Sequence, residues 1–155
     1  MCNRTSKKKQ RRYYSGKKKR HTQKAQLVVD KKTEKIICTA YAKGKCHDYK
    51  LFKESKTNIH PSIKVQVDTG FQGLQKKHLL TEIPKKRSKK KPLTKADKLE
   101  NRRISSERVK VENVIRCPKI FRIIAEKYRN RRKRFGLRLN LIAAFYNRNI
   151  DLKEK

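Results

Sequence analysis

Three observations predict an α/β fold. Two runs rich in β-branched residues, Ala25-Gln26-Leu27-Val28-Val29 and Lys35-Ile36-Ile37-Cys38-Thr39-Ala40, flank the polar stretch Asp30 to Glu34 and read as an antiparallel hairpin. The alternation Ile63-Lys64-Val65-Gln66-Val67 reads as a third strand. Two later stretches, Lys95 to about Arg116 and Phe135 to Tyr146, carry apolar residues at helical spacing.

The remaining elements follow in chain order. Residues 1–24 are basic and hold no carboxylate, and Tyr13, Tyr14 and Gly16 interrupt the lysines, so this segment is expected to lie on a polyanion or to stay mobile. After the hairpin, Tyr49 to Lys56 has helical spacing, with Asp48 as the expected N-cap and Pro61 closing the segment. The third strand ends at Asp68-Thr69-Gly70, with Gly73 soon after, so an acid stands where a strand runs into a glycine loop. Leu74 to Thr81 is expected to be helical, and Pro84 to Pro92 a lysine-rich loop. In the last helix Leu137, Leu141, Ala144 and Phe145 share a face, which is the expected apolar one. The predicted order is β-β-α-β-α-α-α, divided into a basic segment 1–24, a folded domain 25–150 and a tail 151–155.

A formal charge of +34 on 155 residues points to a polyphosphate partner. The clusters Lys17-Lys18-Lys19-Arg20, Lys85-Lys86-Arg87, Lys89-Lys90-Lys91 and Arg131-Arg132-Lys133-Arg134 are spread along the chain and favour several contacts on one polymer. With 34% apolar residues and a mean hydropathy of −1.06, the chain can bury one modest core. The apolar runs are too short to cross a bilayer, and no apolar stretch follows the basic start, so the expected location is the cytoplasm, at the nucleoid. Cys2, Cys38, Cys46 and Cys117 lack CxxC pairing and read as free thiols; the Cys46-His47 pair invites zinc, but no second ligand pair follows it.

Asp68 and Glu112 are the candidate catalytic carboxylates. Arg108 stands one helical turn before Glu112 on the same face. On spacing alone, Asp68 equally reads as a loop cap and Glu112 as a surface partner of Arg108. Five stretches in order weigh against that plain reading. They are Tyr13-Tyr14-Ser15-Gly16-Lys17-Lys18-Lys19, His47-Asp48-Tyr49-Lys50-Leu51-Phe52-Lys53-Glu54-Ser55, Val67-Asp68-Thr69-Gly70-Phe71-Gln72-Gly73, Arg108-Val109-Lys110-Val111-Glu112-Asn113-Val114-Ile115 and Tyr128-Arg129-Asn130-Arg131-Arg132-Lys133-Arg134-Phe135-Gly136. Together they resemble DDE-type transposases of bacterial insertion sequences over nearly the whole chain.

The resemblance implies an RNase H-like mixed sheet with flanking helices, and a triad Asp, Asp, Glu that binds two divalent ions, Mg2+ or Mn2+, for DNA cleavage and transfer. It makes Asp68 the second Asp and Glu112 the Glu, both of them metal ligands. Arg108 and Lys119 become phosphate-holding residues, with Lys17, Lys18 and Lys19 as further DNA contacts. The first Asp belongs on a strand upstream of Tyr13, where this sequence has no acid, so the expected sheet is incomplete and the chain reads as an N-terminally truncated fragment lacking the usual DNA-recognition region. Asp48 matches a position shared by the family and is read as a cap or local hydrogen-bond partner. Ser105 replaces a common tyrosine, and Pro118 enters where relatives continue the helix toward Lys119.

DNA ends and target are the implied partners, together with self-association or pairing with an intact transposase. Two rival readings are a non-catalytic basic nucleic-acid-binding protein and a small ribosomal-type RNA-binding protein. Either way, binding to duplex DNA is expected to be nearly indifferent to sequence and strongly salt-dependent. A plot of log affinity against log salt is expected to fall with a slope of about −5 or steeper, as about six or more phosphate contacts give; a shallow slope measured by anisotropy would contradict this.

Overall fold

A computed structural model describes residues 11, 13–16, 19–88, 92–125 and 134–153. The described elements are β1 (Tyr14–Ser15), β2 (Arg20–His21), β3 (Gln23–Val29), β4 (Ile36–Lys43), α1 (Asp48–Glu54), β5 (Val65–Gln66), β6 (Thr81–Glu82), α2 (Lys95–Arg116), α3 (Arg122–Ala125) and α4 (Phe135–Lys153), with 3-10 turns at Thr69–Phe71, Leu74–Lys76 and Cys117–Ile120. The fold is mixed α/β. Its strands form three antiparallel or parallel pairs, β1–β2, β3–β4 and β5–β6, where the sequence led to one mixed sheet.

The β3–β4 hairpin is the one its composition predicts, with Leu27 opposite Thr39 and Val28 opposite Cys38. Its turn is shaped by Asp30, whose carboxylate accepts from the Thr33 hydroxyl at 2.7 Å and the Lys32 N–H at 3.1 Å. Strand alternation then gives the hairpin two faces. On one face Ile36 packs with Val114 of α2 and Ala143 of α4, joined by Leu27, Val29 and Tyr146. On the other, Lys24 reaches toward α1.

Helix α4 buries Phe135, Leu139, Ile142 and Ala143, spaced at i, i+4, i+7 and i+8. The expected face is the wrong one: Leu137, Leu141 and Phe145 are 70%, 56% and 48% exposed. The helix is apolar on both sides, so periodicity alone could not choose. Tertiary partners decide the matter. Asn147 brackets the Ile36 backbone, its Oδ1 accepting from the N–H at 2.8 Å and its Nδ2 donating to the carbonyl at 2.9 Å. Tyr41 also lies against Gly136, where an added Cβ would meet the ring at 2.3 Å.

The segment expected to be a helix at Leu74 to Thr81 is instead a 3-10 turn followed by β6. Leu74, His78 and Thr81 are buried at helical spacing, but the backbone takes a better offer. Val65 and Val67 donate their N–H groups to the Leu80 and Glu82 carbonyls at 2.9 and 3.1 Å, making a parallel pair that an isolated short helix cannot match.

Helix α2 starts with a capping box between Thr94 and Asp97, with the Asp97 N–H donating to Thr94 Oγ1 at 3.1 Å and the Thr94 N–H to Asp97 Oδ2 at 3.2 Å. The expected bend at Pro118 is a termination: the α-helix stops at Arg116, and the missing proline N–H falls inside the 3-10 turn that follows. Between these ends α2 contacts the β5–β6 pair and the end of β3. Arg103 donates to Glu82 of β6 at 2.6 Å, Gln66 of β5 donates to Glu107 at 2.5 Å, and Lys31, just past β3, pairs with Glu107 at 2.5 Å.

Two tests follow from the packing. Leu139→Ala, at a site 1% exposed, is expected to cost about 2–5 kcal/mol, whereas Leu137→Ala is expected to stay within about 0.5 kcal/mol, both by urea denaturation. The second concerns pH. Burial pushes the Glu82 carboxyl up, but hydrogen bonds from Lys64, Gln66 and Arg103 outweigh it and bring its pKa to about 2. Lys31 foremost, then Gln66, holds Glu107 at about 2 as well. Both sit below the ordinary 4.5, so their contribution is full above that pH and drains away as the pH falls toward 2. Thermal melts between pH 5 and 2 are expected to lose midpoint over that window, and a Glu82→Gln/Glu107→Gln double variant is expected to lose less.

Candidate active site

Asp68 follows directly on the Val67 bond to β6 and begins the 3-10 turn Thr69–Phe71, its carboxylate accepting from the Thr69 N–H at 2.6 Å. Glu112 projects from α2 about one turn before its C-terminal end at Arg116. The Arg108 guanidinium lies between them, with Nη1 3.7 Å from Asp68 Oδ1 and Nη2 3.3 Å from Glu112 Oε1. The sequence-predicted pair of carboxylates is thus gathered around one cation, with Asp68 at a strand end as expected.

Both carboxylate side chains are 61% exposed, while Arg108 is 24% exposed. The arginine therefore forms the floor and the acids open to solvent. Pairs this exposed contribute little to stability, about 1 kcal/mol or less each. Their value is positional: two carboxylates are held against one guanidinium, and hard oxygen donors of this kind suit a divalent cation better than a soft metal. Among the described residues there is no group of three or more acids, histidines or cysteines placed to hold a metal.

Asp48 is not the helix cap that its position suggested. His47 occupies the N-cap of α1 without a side-chain bond, and Asp48 is the first helical residue. Its carboxylate pairs with Lys24 of β3 at 2.9 Å, and the same lysine donates to the Cys46 carbonyl at 2.6 Å. Across from Lys24, Asp48 leans on the loop that carries Asp68: a Cβ added to Gly70 would come within 2.5 Å of Asp48 Oδ2. Gly73, at φ 98°, closes that loop over the Tyr49 ring. Lys24 was missed in the sequence because nothing distinguishes it from its neighbours among so many lysines.

Of the other expected DNA contacts, Lys119 is exposed on the 3-10 turn after α2 and Lys19 sits at φ 47° in the turn between β1 and β2. Lys17 and Lys18 lie outside the described residues, as does the whole stretch Tyr128 to Lys133.

The close approach of Asp48 to Gly70 yields a paired test. Gly70→Ala is expected to cost about 1–3 kcal/mol by forcing the Asp48 carboxylate off its seat. Gly16→Ala, with nothing within 4 Å, is expected to stay within about 0.5 kcal/mol. Equal effects in chemical denaturation would contradict the packing described.

The comparisons with known proteins meet this geometry. No solved structure matches the chain. A curated relative, the "Probable transposase for insertion sequence element IS702" of Microchaete diplosiphon, is 48% identical over 147 residues, which cover 95% of this chain and 53% of the relative. The chain thus spans about half the length of the curated relative it matches. The family model described as DDE superfamily endonuclease matches residues 1–147, nearly the full sequence, and the chain belongs to that family.

Proposed function

We propose that this chain supplies the second and third carboxylates, Asp68 and Glu112, of an insertion-sequence transposase that cleaves and joins DNA strands in an RNase H-like domain. The observation that carries this reading is the bridge Asp68–Arg108–Glu112, which gathers an acid just past a strand and an acid on a helix from distant parts of the sequence. Family membership and the transposase named above support it.

In this reading Asp68 and Glu112 would hold Mg2+ or Mn2+ through hard carboxylate oxygens, and the ion would supply activation of the attacking oxygen and charge stabilisation of the leaving one. Arg108 neutralises the two acids while they have no other partner, and turns to a phosphate oxygen once they do. Lys119, exposed past the end of α2, gives a second phosphate contact, and Lys17, Lys18 and Lys19 extend the basic track along the duplex. The RNase H-like topology places β3 and β4 beside a further central strand, with β5 on that strand's other side. Two carboxylates leave the set one short, so this chain alone is a DNA-binding body with an incomplete centre.

Nicking of supercoiled plasmid in Mg2+ or Mn2+ tests the assignment. The chain alone is expected to stay at the no-protein background. The chain joined to the remaining half of the Microchaete relative is expected to nick, and Asp68→Ala or Glu112→Gln in that fusion is expected to return it to background. Undiminished nicking by the Asp68→Ala fusion would sink the site assignment. Metal-dependent nicking by the unjoined chain that vanishes with Asp68→Ala would show the centre to be complete already.

A further inference from the structure

Two open pockets adjoin at the end of the β3–β4 hairpin away from its Asp30 turn. The larger, about 900 Å³, has Tyr13, Tyr41, Lys43, Lys45 and Lys50 in its lining. The smaller, about 300 Å³, is bordered by Arg11, Tyr14 and Lys45. Lys45 belongs to both, and neither pocket includes Asp68, Arg108 or Glu112. Each volume falls in the range of ligand-binding pockets, about 300–1,000 Å³.

The fold fixes the three tyrosines in advance of any ligand. The Thr22 N–H donates to the Tyr13 carbonyl at 2.8 Å and the Gly44 N–H to the Thr22 carbonyl at 3.0 Å, which ties the residue before β1 to the start of β3 and the end of β4. Tyr14 stands opposite His21 in the β1–β2 ladder, and the two rings meet edge to face at 5.9 Å. Tyr41 leans on Phe135 at 5.6 Å and lies over Gly136, where an added Cβ would strike it. Tyr14 and Tyr41 are nevertheless 44% and 47% exposed. Rings that are held by packing yet open to solvent lose little freedom when a ligand lies on them.

Cations alternate with these rings. Lys43 Nζ stands 5.8 Å from the centroid of the Tyr13 ring, Lys45 separates the Tyr13 pocket from the Tyr14 pocket, and Arg11 borders the far side. Glu54, the carboxylate among the described residues of the larger pocket, is paired with Lys50 at 3.7 Å. A ligand that answers such a surface is itself an alternation of flat apolar faces and negative charges. An unpaired nucleic-acid strand has that build, whereas a duplex covers the faces of its bases with their stacked neighbours.

We propose that the two pockets are adjoining subsites for successive unpaired nucleotides of a DNA strand. One base lies in the larger pocket against the tyrosines at 13 and 41, its neighbour stacks on Tyr14, and Lys45 takes the phosphate between them. Lys43 and Lys50 receive the next phosphate along. The choice of DNA follows the family, but the subsites use neither the carboxylates nor a metal, so they stand or fall apart from the nicking assay. The chain thus holds, beside its general attraction for duplex, a place that prefers a strand already opened.

Anisotropy at physiological salt tests this with three labelled probes: an oligothymidylate of about twelve nucleotides, an abasic strand of the same length, and a duplex with as many phosphates. Oligothymidylate is expected to bind about fivefold or more tightly than the abasic strand, the effect of roughly one stacked base. Tyr14→Ala is expected to remove about that factor for oligothymidylate and to leave the abasic strand and the duplex within about twofold, while Tyr14→Phe keeps the preference. Lys45→Ala is expected to weaken all three probes and to lower the salt slope by about one. An oligothymidylate carrying 5-iodouracil is expected to photocross-link to Tyr13, Tyr14 or Tyr41 of the unaltered chain, a readout that no variant's folding can disturb. Equal binding of the abasic strand, a Tyr14→Ala loss of the same size on all probes, or cross-links only elsewhere would overturn the proposal. Displacement of the strand by micromolar thymidine triphosphate would overturn it in favour of a free nucleotide, and a preference of about tenfold for oligouridylate would overturn the assignment to DNA.

Discussion

Glu107 is the joint on which the arrangement of this molecule depends. Its carboxylate takes Lys31 from the end of β3, Gln66 from β5 and Arg103 from its own helix, with all three contacts between 2.5 and 2.6 Å. The β3–β4 and β5–β6 pairs share no ladder with one another among the described residues, so α2 has to set their spacing. It does so with charge at one end and apolar packing at the other: Arg103 and Glu107 grip β5 and β6, and Val114 enters the core beneath β4. Arg108 and Glu112 lie between these two anchorages, which is why they arrive opposite Asp68.

The separation of duties along α2 has an electrostatic logic. In a chain with 47 basic and 13 acidic residues most described carboxylates meet a cation, so pairing as such distinguishes little. Depth and number of partners distinguish more. Glu82 is 18% exposed and receives Lys64, Gln66 and Arg103, which marks it as structural. Asp68 and Glu112 are mostly exposed and share a single guanidinium, so their pairing adds little to stability.

How much of this was legible in the sequence depended on whether the deciding interaction was local. The hairpin was legible because β-branched runs flank an Asp30 turn that needs only its own side chain. The Arg108–Glu112 pair was legible from four-residue spacing, and Asp68 from a strand running into a glycine loop. That Asp68 and Glu112 meet was implied only by family resemblance, and the Asp68–Arg108 contact was not foreseen at all, since no local rule brings them together. The buried face of α4 was read wrongly because Leu137 and Leu141 are as apolar as Leu139, and only Asn147 and Tyr41 choose between them. β6 escaped because its register is written in Val65 and Val67, not in its own two residues. Asp48 was read as a cap from its place at a helix start, while its real partners are Lys24 and the loop at Gly70.

The short ladder between β5 and β6 carries a kinetic meaning. Two residue pairs and a few side-chain bonds hold the Asp68 strand, whereas Glu112 rides on a helix of 22 residues anchored in the core. Segments held by so few buried contacts open locally at far lower free energy than the whole molecule unfolds. The two acids thus belong to regions with different opening equilibria, and the gathered arrangement exists only in the closed fraction. Any cation that required both acids would bind with an apparent affinity scaled down by that fraction, and in binding would raise it. Occupancy of the site and order in its weaker half become the same equilibrium seen from two sides.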